Sequence, residues 1–350
     1  MKAFEKNIRK VEPYVPGEQP QRKVIKLNTN ENPYPPAPGV SKALLSMDMD
    51  RLRLYPDPTA GNLVHTLAEY YGVKDEQVFV GVGSDDVLAM CFLTFFNSEK
   101  PILFPDITYS FYKVWAELYR IPYECPKLDD EFRLVKEDYY KENGGIIFPN
   151  PNAPTGIYEK LDFIEDILKH NQDVIVIVDE AYIDFAGKSA IELVDKYENL
   201  LVVQTYSKSR SMAGMRIGYA FGNPLLIKYL NDAKYSFNSY TMNQTSLLCG
   251  VESVKDKVYF EEQVQKIVDT REWTKKELAS LGFEFPDSQT NFILATHPKC
   301  SAKELFEALK EADIYVRYLS GERIKNYLRI TIGTQEEMEM LIRFIKDYLD

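Results

Sequence analysis

The sequence predicts an α/β protein in which a large domain, a mostly parallel sheet flanked by helices, is joined to a smaller α+β domain. Three observations carry that prediction. Short apolar runs alternate with helical patterns between residues 78 and 221, the arrangement that separates parallel strands by helices. Beyond Leu281 the texture changes to strand-like runs interleaved with amphipathic helices. The chain has 350 residues, 45% of them hydrophobic and 13% aromatic, enough for a large core and for more than one domain. We expect an N-terminal arm over 1–38, the large domain over 39–250 and the small domain over 251–350.

The elements follow in order. Val11 to Pro38 is dense in proline and asparagine, including Asn30-Glu31-Asn32-Pro33-Tyr34-Pro35-Pro36, and reads as an extended arm that packs on another surface. Leu54-Tyr55-Pro56-Asp57-Pro58 is rigid and turn-prone. Asn62 to Tyr71 has helical spacing, with Leu63, Leu67 and Tyr70 on one side. Val78 to Val82 reads as a strand that passes through Gly83-Ser84-Asp85-Asp86 into an apolar helix, Val87 to Phe96. The free amides of such a helix start attract an anion, and Gly83 allows close approach to the backbone. The simpler reading of Ser84 or Asp85 is a helix N-cap. Further strands are expected at Ile102–Phe104, Ile146–Phe148, Val174–Val178, Leu201–Gln204 and Ile217–Phe221, with helices at Phe111–Tyr119 and Leu161–Lys169. A long charged helix over about 255–281 leads to a strand at Asn291–Ala295 and a helix at Ala302–Glu311. A strand at Leu328–Ile332 and a closing helix at Glu336–Leu349 complete the chain.

Composition excludes several classes of function. A formal charge of −11 opposes an extended nucleic-acid or anionic-membrane surface. No run approaches the ~20 apolar residues of a membrane helix, and Met1 to Lys10 is charged where a signal peptide is apolar, so a cytoplasmic protein is expected. Cys91, Cys125, Cys249 and Cys300 lack paired spacing and read as reduced thiols. His65, His170 and His297 are scattered, so no metal is expected.

Lys208 is the most informative residue. The apolar run Leu201–Val203 delivers this lone ammonium to a turn, another apolar run, Val174–Val178, ends on Asp179, and Arg216 follows shortly after the lysine. Lysine, carboxylate and arginine at strand ends are the groups a pyridoxal phosphate enzyme requires. The lysine condenses with the cofactor aldehyde, the carboxylate keeps the pyridine nitrogen protonated, and the arginine grips the phosphate beside the Ser207 hydroxyl. Taken singly, Lys208 and Arg216 would read better as loop cations and Asp179 as a helix cap. Together they favour the cofactor, at the carboxyl ends of strands where open α/β sheets bind ligands.

With these residues in place, the chain resembles the fold-type I, aspartate aminotransferase-like, pyridoxal phosphate-dependent aminotransferases nearly end to end. The matching stretches are Asn30-Glu31-Asn32-Pro33, Tyr55-Pro56-Asp57-Pro58, Gly83-Ser84-Asp85-Asp86, Thr108-Tyr109-Ser110, Asn150-Pro151-Asn152-Ala153-Pro154-Thr155-Gly156, Asp179-Glu180-Ala181-Tyr182, Ser207-Lys208 with Gly214-Met215-Arg216, and Arg329 before Ile330-Thr331-Ile332-Gly333-Thr334. The resemblance implies that Lys208 holds the cofactor as a Schiff base and then serves as base. It implies that Asp179 pairs with the ring nitrogen, Tyr182 donates to the ring oxygen O3′ and Tyr109 stacks on the ring. Ser84, Asp85, Ser207 and Arg216 would hold the phosphate, joined by Tyr55 of a neighbouring subunit in a homodimer with shared active sites. Arg329 would bind the oxyanion of the amino donor or the 2-oxo acid, and Tyr14 and Glu31 would close over the donor's far end. Where the family usually has asparagine before Pro-Thr-Gly, this chain has Ala153, and Asn152 is the candidate to reach inward instead.

The reaction that the resemblance implies is transamination between histidinol phosphate and 2-oxoglutarate. Its rivals are decarboxylation of threonine phosphate, an aromatic or broad-specificity aminotransferase, and a cofactor-binding regulator without turnover. Gly81-Val82-Gly83 lacks the third glycine of a dinucleotide fingerprint.

Overall fold

Residues 2–350 are described by a computed structural model. The arm carries a short strand, β1 (Ile25–Lys26), and ends at α1 (Pro38–Leu45). The large domain continues with α2 (Gly61–Tyr71), β2 (Val78–Gly81), α3 (Ser84–Phe95), β3 (Ile102–Leu103), α4 (Phe111–Tyr119), β4 (Tyr123–Glu124), β5 (Ile146–Pro149), α5 (Leu161–His170), β6 (Val176–Asp179), β7 (Leu200–Thr205) and β8 (Gly218–Gly222). Helices α6 (Pro224–Phe237), α7 (Gln244–Lys255) and α8 (Lys257–Ser280) lead to β9 (Phe292–Ala295), α9 (Ala302–Glu311), β10 (Ile314–Tyr315), β11 (Arg317–Tyr318), β12 (Leu328–Thr331) and α10 (Gln335–Leu349).

The main sheet has seven strands in the order β2-β8-β7-β6-β5-β3-β4. All its pairings are parallel except the two made by β8, which runs against β2 and β7. The central strands β5, β6 and β7 are buried at every position because both faces are covered. Val176, Val178, Leu200 and Val202 enter one hydrophobic cluster, while Ile177, Leu201 and Val203 from the same strands enter another on the opposite face. A third cluster belongs to the small domain, where β11-β12-β9 form an antiparallel sheet packed by α9 and α10.

The structure departs from expectation in three places. Helix α3 begins at Ser84 rather than Val87, because Asp86 Oδ2 accepts from the Val82 amide at 2.9 Å and the acidic residues form its first turn, where the helix dipole favours them. Helices α1, α6 and α7 were not anticipated, although Asn223 caps α6 with Pro224 at its first position, a standard helix-start pattern. The division at 250/251 falls within α7, which packs on α1 and α2. Asp256 separates α7 from α8 and caps the latter. The arm packs on the small domain, as an extended segment of this kind is expected to pack on another surface: β1 pairs with β10, and Leu27 is buried in the small-domain cluster.

Candidate active site

Strand register brings the site together. Pro149 lies opposite Asp179, which lies opposite Val203, and both Gly81 and Thr205 pair with Gly218. The turns that follow β2, β5, β6 and β7 therefore open at one end of the sheet. A cavity of about 160 Å³ there is lined by Ser84, Asp85, Tyr109, Asp179, Tyr182, Ser207, Lys208, Arg216 and Glu31, nine of the residues expected from sequence.

Asp179 is the buried acid. Its carboxylate accepts from the Tyr112 hydroxyl at 2.8 Å and from the Ala181 amide at 3.2 Å. Burial nevertheless pushes its pKa up to about 6, since two hydrogen bonds replace only part of the lost hydration. Lys208, on the turn after β7, donates from Nζ to the Thr29 carbonyl of the arm at 3.2 Å and lies 5.7 Å from the Tyr182 ring centroid.

The opposite end is built to receive an anion. Arg216 Nη1 donates to Ser207 Oγ at 3.4 Å and Nη2 to Asp85 Oδ2 at 3.3 Å, against the first turn of α3. Gly83, at φ +86°, cannot be replaced without collision, because a Cβ there would come within 2.6 Å of the guanidinium. Gly218 has the same role from the sheet side: a Cβ would sit 2.3 Å from the Ser84 amide nitrogen. The Asp85 carboxylate is engaged by Arg216 and by the Tyr109 hydroxyl at 2.7 Å, so Asp85 offers an anion only its backbone amide. Burial, with Asp85 beside it, holds the Tyr109 phenol well above the usual tyrosine range.

A second cavity of about 440 Å³ adjoins the first, sharing Tyr109 and Ala153, and is lined by Tyr14, Arg317, Arg323 and Arg329. Tyr14 stacks on Phe111 with ring centroids 4.4 Å apart, which folds the arm over this opening. Arg317 and Arg329 face each other across β11 and β12. Their polar contacts are backbone carbonyls, Val15 at 3.1 Å and Asn28 at 3.0 Å, and the buried Nε of Arg329 has no partner. Burial, with Arg317 nearby, pulls the Arg329 guanidinium below the ordinary arginine range. Arg323 is already paired, with Asp106 at 3.0 Å.

Asn152 and Tyr55, the latter expected to serve a neighbouring subunit, line neither cavity of their own chain. Asn152 does not reach inward: its amide donates to the Ile107 carbonyl and to Thr155 Oγ1, both at 3.0 Å, and only Ala153 of that loop faces both cavities. Tyr55 is 80% exposed, stacked on Tyr240 at 4.5 Å and outside its own chain's cavities. Arg317, Arg323, Tyr112 and Thr29 were missed in the sequence. Arg317 carried a signal, since Ile314-Tyr315-Val316-Arg317 sets an arginine in an apolar run much as Leu328-Arg329-Ile330 does, but only the register makes the two opposite.

A family model described as aminotransferase class I and II matches residues 22–345. The chain belongs to that family. This aminotransferase is 52% identical over 348 residues to a histidinol-phosphate aminotransferase of Lactococcus lactis subsp. cremoris, covering 99% of this chain and 98% of the relative. Among solved structures, it is similar to histidinol-phosphate aminotransferase from Sinorhizobium meliloti in complex with pyridoxal-5′-phosphate, with TM-score 0.85, 21% identity and coverage of 94% and 92%. The L-threonine-O-3-phosphate decarboxylase from Porphyromonas gingivalis shares the fold at TM-score 0.78 and 20% identity, covering 93% and 99%, so the fold alone does not select the reaction.

Aminotransferases of this family use pyridoxal phosphate, and the residues here fit it. A buried carboxylate with no ion-pair partner among the described residues suits a pyridinium nitrogen. A lysine amine in the same cavity suits the aldehyde, and a helix start held open by Gly83 beside Arg216 suits the phosphate.

Proposed function

We propose that this enzyme exchanges the amino group of histidinol phosphate with 2-oxoglutarate, giving imidazole acetol phosphate and glutamate as a step of histidine biosynthesis. One observation carries the choice of a doubly functional, phosphate-bearing substrate: Arg317 and Arg329, like charges directly opposite on neighbouring strands with no carboxylate paired to either among the described residues. Like charges so placed destabilise a sheet unless an anion comes between them. The substrate phosphate in one half-reaction and a carboxylate of the 2-oxo acid in the other both meet that need.

Pyridoxal phosphate supplies the electron sink that lets a Cα–H bond of the amine ionise. The chain does the rest. Asp179, ionised once it faces a cation, keeps the ring nitrogen protonated. Tyr182 donates its hydroxyl hydrogen to O3′. Ser84, Ser207, Arg216 and the amide of Asp85 fix the phosphate, and Tyr109 covers the ring. Lys208 Nζ, placed by the Thr29 carbonyl, would take the proton from Cα and give it back later in the same half-reaction. Tyr14, over the second cavity, and Glu31, at the edge of the first, would close over the far end of the donor.

The assembly we propose is a homodimer with shared sites. Support comes from Leu45, Met49, Leu52, Leu54, Tyr55, Phe237 and Tyr240, large apolar side chains that are all exposed around one turn-rich stretch and the end of α6. Tyr55 is the residue offered to the neighbouring phosphate. Four free cysteines, Cys91 and Cys249 of them buried, accord with a reducing cytoplasm, and no described helix is long and apolar enough to cross a membrane.

Half-reaction spectroscopy tests the proposal. Histidinol phosphate should convert the bound cofactor at least about 10²-fold more efficiently than histidinol, and Arg317→Gln should erase most of that preference. Equal turnover of phenylalanine, or carbon dioxide release from threonine phosphate, would sink it.

A further inference from the structure

We infer that Asn30 is a positioning residue that aims the Tyr182 hydroxyl hydrogen into the cofactor cavity, taking over a task that Ala153 and Asn152 leave undone. The inference rests on the reading above, in which Tyr182 meets O3′.

Donor directions around Asn30 are set by counting hydrogens. The Asn30 backbone N–H donates to Thr331 Oγ1 at 3.0 Å. The Thr331 hydroxyl hydrogen is then directed to Asn30 Oδ1, also at 3.0 Å. With Oδ1 occupied as acceptor, the remaining end of the amide is the NH₂, and Asn30 Nδ2 donates to the Tyr182 hydroxyl oxygen at 2.8 Å. The Asn30 carbonyl accepts from Asn291 Nδ2 at 3.0 Å, so the residue is held on three sides. Asn30, Thr331, Asn291 and Tyr182 are all buried, and the hydrogen-bond network assigns the orientation of the amide. At φ +56° the backbone sits in the left-handed region, which asparagine tolerates better than most residues.

A tyrosine whose oxygen already accepts a strong hydrogen bond turns its own hydrogen elsewhere, and accepting makes it a better donor. That hydrogen points to the cavity. No neighbour shares the work: Ala153 has no donor, the Asn152 amide is spent on its own loop, and the Tyr109 hydroxyl is committed to Asp85. The arm residue Asn30 and the small-domain residue Thr331 thus reach the ring oxygen through one phenol.

The test reads the cofactor's colour. The loaded enzyme is titrated while its visible absorption band is followed, for wild type, Asn30→Gly, Thr331→Val, Tyr182→Phe and Asn30→Gly with Tyr182→Phe. Glycine keeps the left-handed backbone, and Thr331→Val releases the amide from a second direction if Asn30→Gly folds poorly. Loss of donation to O3′ disfavours the deprotonated form of the cofactor linkage. The titration midpoint should therefore rise by about half a unit or more in Asn30→Gly and Thr331→Val, and further in Tyr182→Phe. In the Tyr182→Phe background Asn30→Gly should add nothing. A midpoint that moves only in Tyr182→Phe overturns the role of Asn30 and leaves the functional reading intact. An equal Asn30→Gly shift with and without the phenol makes Asn30 merely structural. An unmoved midpoint in Tyr182→Phe, with borohydride fixing the cofactor elsewhere than Lys208, removes the underlying reading itself.

Discussion

Asp179 shows how a functional residue weakens the fold that holds it. Its pKa in the protein is raised from the ordinary 3.8 to about 6, so the folded chain binds this proton more tightly than the unfolded chain. Stability from this group is therefore complete at low pH, falls as pH rises from near 3.8 through about 6, and stays lost above that range, a difference on the order of 2–3 kcal/mol. A cationic ring nitrogen reverses the penalty by giving the carboxylate its missing partner. Asp179→Asn should accordingly make the cofactor-free protein more stable near neutral pH, by up to that amount, with the gain vanishing toward pH 4. The same change should cut transamination by about 10²-fold or more, since a neutral amide cannot hold the ring proton. Chemical denaturation of both apoproteins across pH measures the first effect, and a wild-type apoprotein that is the more stable one at neutral pH would contradict the account. Asp179, Lys208 and Arg216 were legible in the sequence because each ends an apolar run or a motif of fixed spacing. Asn152 was not placed correctly, because which side of a loop an amide faces depends on partners, Ile107 and Thr155, that sequence pattern does not reveal.

At the scale of elements, the anion end depends on two glycines from opposite sides, Gly83 leading into α3 and Gly218 opening β8. Gly83→Ala meets a positive φ and the Arg216 guanidinium together. It should lower stability by roughly 1–2 kcal/mol and weaken pyridoxal phosphate binding more than about 10-fold, read by thermal unfolding and by equilibrium dialysis. Retained affinity would show that Arg216 yields without loss. Strand–helix alternation made β2, α3, α4, β5, α5, β6 and β7 readable, since strands buried on both faces leave uninterrupted apolar runs. Two-residue strands such as β1, β10 and β11 carry no periodicity to read. Yet β11 supplies Arg317, and β1 ties the arm to the small domain.

At the scale of the whole molecule, the proposed dimer supplies what a single chain lacks. Tyr55 stands away from its own cavity on an apolar exposed stretch, so in the proposed dimer each site draws it from the neighbour. Mixing Tyr55→Ala with Lys208→Ala chains after partial denaturation should yield hybrid dimers more active than either parent, because one of the two sites regains both residues. Absence of complementation, with dimers formed, would place Tyr55 outside the site.

The sequence by itself determined the fold class, the order of the main elements and most of the residues that line the candidate cofactor cavity, because apolar periodicity and the chemistry of a few side chains are local properties. Tertiary structure decided the rest. It set Arg317 against Arg329, turned Asn152 away, and delivered Asn30 from the arm to Tyr182. Each depends on strand register or on contacts outside the local pattern, from Asn152 with Ile107 to Asn30 with Tyr182, and no local pattern encodes which groups will meet.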